Sequence, residues 1–412
     1  MAQGAGTGRL FSARAPWALA LCRRRRRDRM GAIYSCTCRL AHPRPGGPHA
    51  LGCVRGRLPE SDDGRPGLFA QVHYPADVAG GMMSAERCTW FRAEVLEKIA
   101  ELYGLPRRLV LALLNGRPPL DVAYAPMRHG DAGWPVLVFT SGLYGTCEMY
   151  TQFCRDLAAA GAIVIALEHE DGSGLFATEA GSGRQIHYMD PPPGVTDGVA
   201  FRRPFLHIRA HELRVVASAL AAATRGRAEG KGAVGDAVSR VLAEANPERM
   251  LLVGHSFGSA SILRFLQATR DAPCPYRGAV LADLWPEPLE ERELRQGLQV
   301  PFALLASEQF ARIHSKSYRA LVDASAGKCR AAAVVRGARH QWISESGFFA
   351  PTWVLRCLGI LGTGDFRHVR AATAHAMQVI VEALLDDKEI AAQDLVETRR
   401  RGDAKSVIVG FS

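Results

Sequence analysis

The chain has 412 residues, 48% of them hydrophobic, and a formal net charge of +10. That is enough to bury one large core, and no run of about eighteen apolar residues lacks charge, so no segment reads as a membrane-spanning helix. Twelve arginines in residues 1–60 face only Asp28 and Glu60; they account for the whole excess, and the balanced remainder excludes nucleic-acid binding by the body of the protein.

Residues 1–45 are rich in Arg, Gly, Ala and Pro, have no apolar periodicity, and read as a disordered basic arm. Within the arm, Met30 to Ser35 (MGAIYS) fits the M-G-x-x-x-[ST] acylation pattern if Met30 is the initiator. Cys36 and Cys38 follow at once, so Gly31, Cys36 and Cys38 are candidate lipidation sites. A single myristoyl chain binds membrane with only about 10⁴ M⁻¹, and a second signal is needed for stable anchoring. The same Arg-rich segment also suits a mitochondrial transit peptide, or a plain arm. The ten cysteines show no metal-binding or disulfide-framework spacing, and no secretory signal precedes them. They read as reduced thiols of a cytoplasmic protein, with Cys147, Cys154, Cys329 and Cys357 as buried ones.

A catalytic domain is expected over 46–390, followed by a tail over 391–412. Leu68–Tyr74 alternates as a strand should. Thr89–Leu114 has helical spacing, broken at Gly104-Leu105-Pro106. Val136–Phe139 suits a buried parallel strand, Gly142 and Gly145 mark a turn, and Tyr150–Ala160 is a helix closed by Gly161. Ala162–Leu167 is another buried strand. Residues 172–200 read as loop and 207–223 as helix. A linker over 225–236 leads to a helix ending near Ala245. Met250–Val253 is a strand and Ser259–Gln267 a helix. Ala279–Ala282, Phe302–Ala306 and Ala331–Arg336 are strands, and Thr352–Leu361 and Val369–Leu385 are helices. Apolar strands alternating with helices predict an α/β fold with a mostly parallel sheet covered on both faces, and the Ser turn described next makes it of the α/β-hydrolase type.

The chemistry is carried by Gly254-x-Ser256-x-Gly258, which lies between a predicted strand and a predicted helix. A Ser on so tight a turn is lifted above the sheet, and the glycines let the chain pass close by. The expected order is then Ser, acid, His. Asp283 ends the strand Ala279–Ala282, and His340 follows the strand Ala331–Arg336, both at carboxyl ends of strands. His340 would accept the Ser256 proton, and Asp283 would hold its tautomer. The backbone N–H groups of Leu143 and Phe257 are the expected oxyanion donors. His255 reads as a packing residue and His314 as a surface one, while His187, His207 and His211 precede the Ser and so come in the wrong chain order. The motif supplies its own nucleophile and base, and no cluster has metal-site spacing, so neither metal nor cofactor is expected.

Several blocks in order resemble the platelet-activating factor acetylhydrolases, the lipoprotein-associated or group VII phospholipases A2. They are GPHALGC (47–53), VHYP (72–75), PVLVFTSGL (135–143), ALEHED (166–171), VGHSFG (253–258), LADLWPEPL (281–289) and RGARHQW (336–342). The resemblance spans about Gly47 to Asp387. It implies that Ser256, Asp283 and His340 form the triad, that Leu143 and Phe257 supply the oxyanion amides, and that Trp285 lines the acyl pocket. It implies a calcium-independent enzyme that removes short or oxidised sn-2 acyl groups from phospholipids. It also implies lipid contact by the helix over 107–114, with a second near Thr352–Leu361. The family loop usually reads F-S-H-G, where this chain has Phe139-Thr140-Ser141-Gly142, a difference expected to affect loop rigidity or substrate preference. The competing readings are a broad-specificity carboxylesterase and a catalytically silent lipid-binding scaffold.

Overall fold

A computed structural model describes residues 45–115, 121–228, 236–395 and 408–410. Gly31, Cys36 and Cys38 lie outside the described residues. The strands are β1 (Leu51–Arg57), β2 (Phe69–Arg87), β3 (Val122–Pro126), β4 (Trp134–Thr140), β5 (Ile163–Leu167), β6 (Phe176–Thr178), β7 (Gln185–His187), β8 (Ala245–His255), β9 (Gly278–Ala282), β10 (Phe302–Ser307), β11 (Cys329–Val335) and β12 (Ile408–Gly410). The helices are α1 (Ala93–Tyr103), α2 (Arg107–Asn115), α3 (Thr151–Ala159), α4 (Gly198–Ala228), α5 (Ala237–Leu242), α6 (Phe257–Ala268), α7 (Glu291–Gln296), α8 (Glu308–Ala324), α9 (Thr352–Cys357) and α10 (Phe366–Leu385).

One large sheet runs in the order β1-β2-β5-β4-β8-β9-β10-β11-β12, with β3 paired to β2. Strands β5, β4, β8, β9, β10 and β11 are parallel, while β1, β2, β3 and β12 pair antiparallel. The central strands are apolar throughout because both faces are covered. One face packs against α4, α6 and α8 through residues such as Leu206, Leu213, Ile262, Tyr318 and Leu321. The opposite face packs against α3 and α10 through Phe153, Leu157, Met377 and Ile380. A third cluster gathers Trp90, Phe91, Val95, Ile99, Val110 and Leu114 against Phe176 and Phe348. The mostly parallel sheet covered on both faces, anticipated from the alternating pattern, is therefore the observed architecture.

Several boundaries differ for physical reasons. Ala245 does not end a helix: α5 stops at Leu242, and Ala245 opens β8, since Pro247 leaves no helical continuation. Helix α4 begins at Gly198 and carries Pro204 inside it. Asp197 accepts the Val199 and Ala200 N–H groups there and so caps an end the Pro obscures. The segment 172–200 contains the hairpin β6–β7. Among the described residues, no helix is long and apolar enough to cross a membrane. Of the cysteines expected to be buried, Cys147 and Cys154 are, Cys329 is half-buried and Cys357 is exposed.

Candidate active site

Three loops at the carboxyl ends of β8, β9 and β11 bring Ser256, Asp283 and His340 together. Ser256 caps α6 with φ +58° and ψ −118°, a conformation that few non-glycine residues adopt. The turn closes because its flanking residues lack side chains: a Cβ on Gly258 would lie 2.2 Å from the Thr140 carbonyl oxygen, and one on Gly254 would lie 2.7 Å from the Ser259 nitrogen. Asp283 also has positive φ, +43°.

His340 Nε2 lies 3.0 Å from Ser256 Oγ, and His340 Nδ1 lies 3.0 Å from Asp283 Oδ2. Asp283 is fully buried and accepts two further hydrogen bonds, from the Ser307 N–H at 2.5 Å and the Ser307 hydroxyl at 2.7 Å. Ser307 in turn caps α8 by accepting the Phe310 N–H. The carboxylate is thus held at both oxygens, and Oδ2 keeps one lone-pair direction for the imidazole. The His340 ring is sandwiched between Phe310, stacked at 3.9 Å, and His255, stacked at 4.5 Å. This arrangement can take the proton from Ser256 Oγ and leave the resulting imidazolium paired with Asp283.

The loop after β4 faces Ser256. A Cβ on Gly142 would sit 3.1 Å from Ser256 Cβ. Among the described residues, neither the Leu143 nor the Phe257 N–H donates to an acceptor of the protein. Both amides are therefore without a protein acceptor, one in the residue that follows Ser256 and the other in the residue that follows Gly142. Phe257 adds its amide only: its ring is fully buried in the core and meets Trp285 at 6.1 Å. Trp285 is half-buried and donates its backbone N–H to the Ser256 carbonyl at 3.4 Å. Tyr188, from the loop after β7, stacks on Tyr144 at 3.7 Å, with the Arg202 guanidinium 4.5 Å from its ring.

Sequence reasoning missed the groups that hold this loop. Arg209 is fully buried on α4, donates to Asp171 at 3.0 Å and to Ser173, and reaches the Ser141 carbonyl. His169 Nε2 lies 2.6 Å from Thr140 Oγ1, and its Nδ1 lies 2.6 Å from Glu212. Burial pushes the His169 imidazole well below its ordinary value and the Glu212 carboxyl well above its own, so both favour their neutral forms. His169 and Asp171 lie in the ALEHED block, the one signal that marked them. His314 is a correction: far from being a surface residue, it is buried, and it packs edge-on against Phe310 at 4.8 Å. A kink at its own backbone turns it inward from a polar helix.

Burial lowers the His314 pKa to about 4. The unfolded chain takes up that proton near pH 6.5, so His314 contributes stability above pH 6.5 that is lost as the pH falls toward 4. Glu168 runs the other way: burial raises its pKa to about 7, so its contribution is lost as the pH rises above about 4.5. The informative quantity is the difference between variant and parent. His314→Gln should flatten the decline in urea midpoint between pH 7 and pH 5, and an unchanged slope would show that His314 is hydrated in the native state.

Among the described residues, two clusters bring three ligand atoms within 4.8 Å of one another: His255 with Asp283 and His340, and Cys147 with Glu148 and Glu168. In the first, His340 already bridges Ser256 and Asp283. In the second, the Arg92 guanidinium lies between Glu148, at 2.5 Å, and Glu168. That cation occupies the position a metal would need.

Fold and geometry together define an α/β-hydrolase with a Ser–His–Asp constellation at the carboxyl ends of its strands. More particularly, the chain belongs to the family of platelet-activating factor acetylhydrolase, isoform II, whose model matches residues 35–399. It is 23% identical over 324 residues to the platelet-activating factor acetylhydrolase of Canis lupus familiaris, covering 74% of this chain and 68% of that one. It is 24% identical over 282 residues to the Bos taurus protein of that name, covering 65% and 60%. The chain thus spans about two thirds of the length of these relatives. A putative phospholipase A2 of Schizosaccharomyces pombe is 34% identical over 58 residues, 14% of this chain and 13% of that one. A ferulic acid esterase from Streptomyces cinnamoneus shares the fold, with a TM-score of 0.58 and 18% identity over 90% of this chain and 99% of its own.

Proposed function

We propose that the chain is a calcium-independent serine acylhydrolase that removes short or oxidised acyl groups from the sn-2 position of phospholipids, a 1-alkyl-2-acetylglycerophosphocholine esterase in type. The carrying observation is the His340 imidazole, hydrogen-bonded to Ser256 on one edge and Asp283 on the other. Ser256 Oγ attacks the ester carbonyl while His340 Nε2 takes its proton. The oxyanion forms beside the Leu143 and Phe257 N–H groups. Collapse breaks the ester C–O bond, and His340 protonates the departing lysophospholipid oxygen. Water, deprotonated by the same imidazole, then releases a short carboxylic acid and restores Ser256. Trp285 supports the acyl preference. A longer chain would add about 0.8 kcal/mol per buried CH₂ only where there is room for it, and the bulk of Trp285, whose main chain bonds to that of Ser256, is proposed to restrict that room.

The test is a panel of a short nitrophenyl ester and sn-2 acetyl, oxidised and long-chain phosphatidylcholines, run with and without chelator. Turnover of all but the long-chain lipid, unchanged by chelator, is expected. Hydrolysis of the nitrophenyl ester alone would make the chain a general carboxylesterase. No turnover and no fluorophosphonate labelling would make it a silent scaffold, and loss of activity in chelator would remove the calcium-independent reading.

The lipid surface is proposed to meet α1, α2 and α9. Leu102, Tyr103, Leu105 and Leu109 are exposed and neighbour the basic pair Arg107-Arg108 in the chain, and Trp353 and Leu358 are exposed at α9. Such an apolar face with adjacent cations suits an interfacial helix. Val110 and Leu114 are core residues instead, and Leu111 is half-buried, so the binding face is narrower than the full leucine run. Acylation at Gly31, Cys36 and Cys38 would add a second anchor. Leu105→Asp with Leu109→Asp should weaken binding to phosphatidylcholine vesicles by about tenfold or more and spare soluble ester hydrolysis. Equal losses of both would show that these side chains support the fold.

A further inference from the structure

We propose that Tyr150 and His255 are positioning residues that tie the loop bearing the Leu143 amide to the loop bearing His340. The inference rests on the hydrolase reading of Ser256, Asp283 and His340. The Gly142 N–H donates to Tyr150 Oη at 3.3 Å, Tyr150 Oη lies 2.9 Å from His255 Nδ1, and His255 Nε2 lies 2.9 Å from the His340 carbonyl oxygen. The two ends fix the direction of the chain. A backbone N–H can only donate and a carbonyl oxygen can only accept. His255 must therefore carry its proton on Nε2 and donate it to His340, while the Tyr150 hydroxyl donates to Nδ1 and its oxygen accepts from Gly142. Both side chains are buried, and burial pushes the His255 imidazole well below its ordinary value, which keeps it neutral as this arrangement requires.

Each end of the relay touches one half of the reaction centre. Gly142 immediately precedes Leu143, and the peptide joining Ser141 to Gly142 is held at its other end by Arg209, which donates to the Ser141 carbonyl. With carbonyl and N–H both engaged, that peptide cannot rotate, and the next one, which carries the Leu143 N–H, is held in turn by its Gly142 carbonyl accepting from the Gly145 N–H at 3.1 Å. At the far end, His255 holds the main chain of His340 and also stacks on its ring. The His340 N–H is fixed separately by Gln309 Oε1 at 3.1 Å. The oxyanion donor and the general base are thereby held to one frame of reference, although 197 sequence positions separate Leu143 from His340. Such support of reacting groups raises the rate by pre-organisation, without adding to substrate binding.

The experiment measures kcat and KM on a soluble nitrophenyl acetate for the parent, Tyr150→Phe, His255→Leu, His255→Gln, and Tyr150→Phe combined with His255→Leu. A glutamine amide can accept from Tyr150 and donate to His340, so it is the conservative replacement. Tyr150→Phe and His255→Leu should each lower kcat about tenfold and leave KM within about twofold. The double variant should be no slower than either single one, and His255→Gln should recover to within about threefold of the parent. Unchanged kcat in Tyr150→Phe, which removes a single oxygen atom, would overturn the proposal. So would multiplicative losses in the double variant, or a His255→Gln as slow as His255→Leu. Fluorophosphonate labelling of Ser256 in the parent separates the two levels: labelling with unaffected variants removes the relay alone, and no labelling removes the hydrolase reading and the relay with it.

Discussion

Replacing Ser256 by Ala is expected to lower kcat/KM by about 10⁴-fold or more, with Asp283→Asn and His340→Ala comparably severe and not additive with it. The reason for the Asp283→Asn loss lies in the shell around the carboxylate. The Ser307 N–H, which can only donate, takes one oxygen of Asp283. An Asn at 283 must give its single oxygen to that N–H and turn its NH₂ toward His340. Nδ1 of His340 then becomes an acceptor, the ring proton moves to Nε2, and the base presents a proton to Ser256 instead of a lone pair. Steady-state kinetics on a soluble ester would measure this. Near-parental rates for Asp283→Asn would show that a different acid orients the imidazole.

Arg209→Met should cost about 3–5 kcal/mol of stability, read as a shift in denaturant midpoint. The guanidinium and the Asp171 carboxylate are both fully buried and lie 3.0 Å apart. Removing the cation strands the carboxylate away from water, and that penalty exceeds the worth of the pair. Arg209→Met with Asp171→Leu should recover much of the stability, because apolar groups replace buried ion pairs at little cost. Activity should stay low in the double variant, because the Ser141 carbonyl still lacks its donor. A midpoint within about 1 kcal/mol of the parent for Arg209→Met alone would show that water reaches Asp171.

The fold was legible where both sheet faces are covered. Val136–Phe139 and Ala279–Ala282 are apolar runs that only a parallel sheet accommodates, and the Ser256 turn declares itself through glycines that the geometry requires. Strand β1 escaped because its glycines and arginines break the alternation, and only its pairing with β2 makes it a strand. Helix α4 began too late in the sequence reading because Pro204 looks like a stop. Ser256, Asp283 and His340, which the structure brings together, could be found by chain order, but the groups around them could not. Arg209, Tyr150 and His169 come from three separate elements, and nothing in their local sequence says that they converge on one loop. His314 was misplaced because amphipathic spacing assumes a regular helix, and the kink at that residue rotates it out of phase.

The stacking of His340 between Phe310 and His255 has a consequence for the traffic of protons. An imidazole clamped on both faces can slide a little along its own plane but cannot swing away, so in the proposed reaction Nε2 stays directed at Ser256. The proton taken from Ser256 therefore leaves by the route on which it came, to the departing oxygen above the same hydroxyl. The water of the second half-reaction must approach along that line as well. On the proposed reaction, acylation and deacylation share one track, and a leaving alcohol that lingers there after the first step stands in the way of the second.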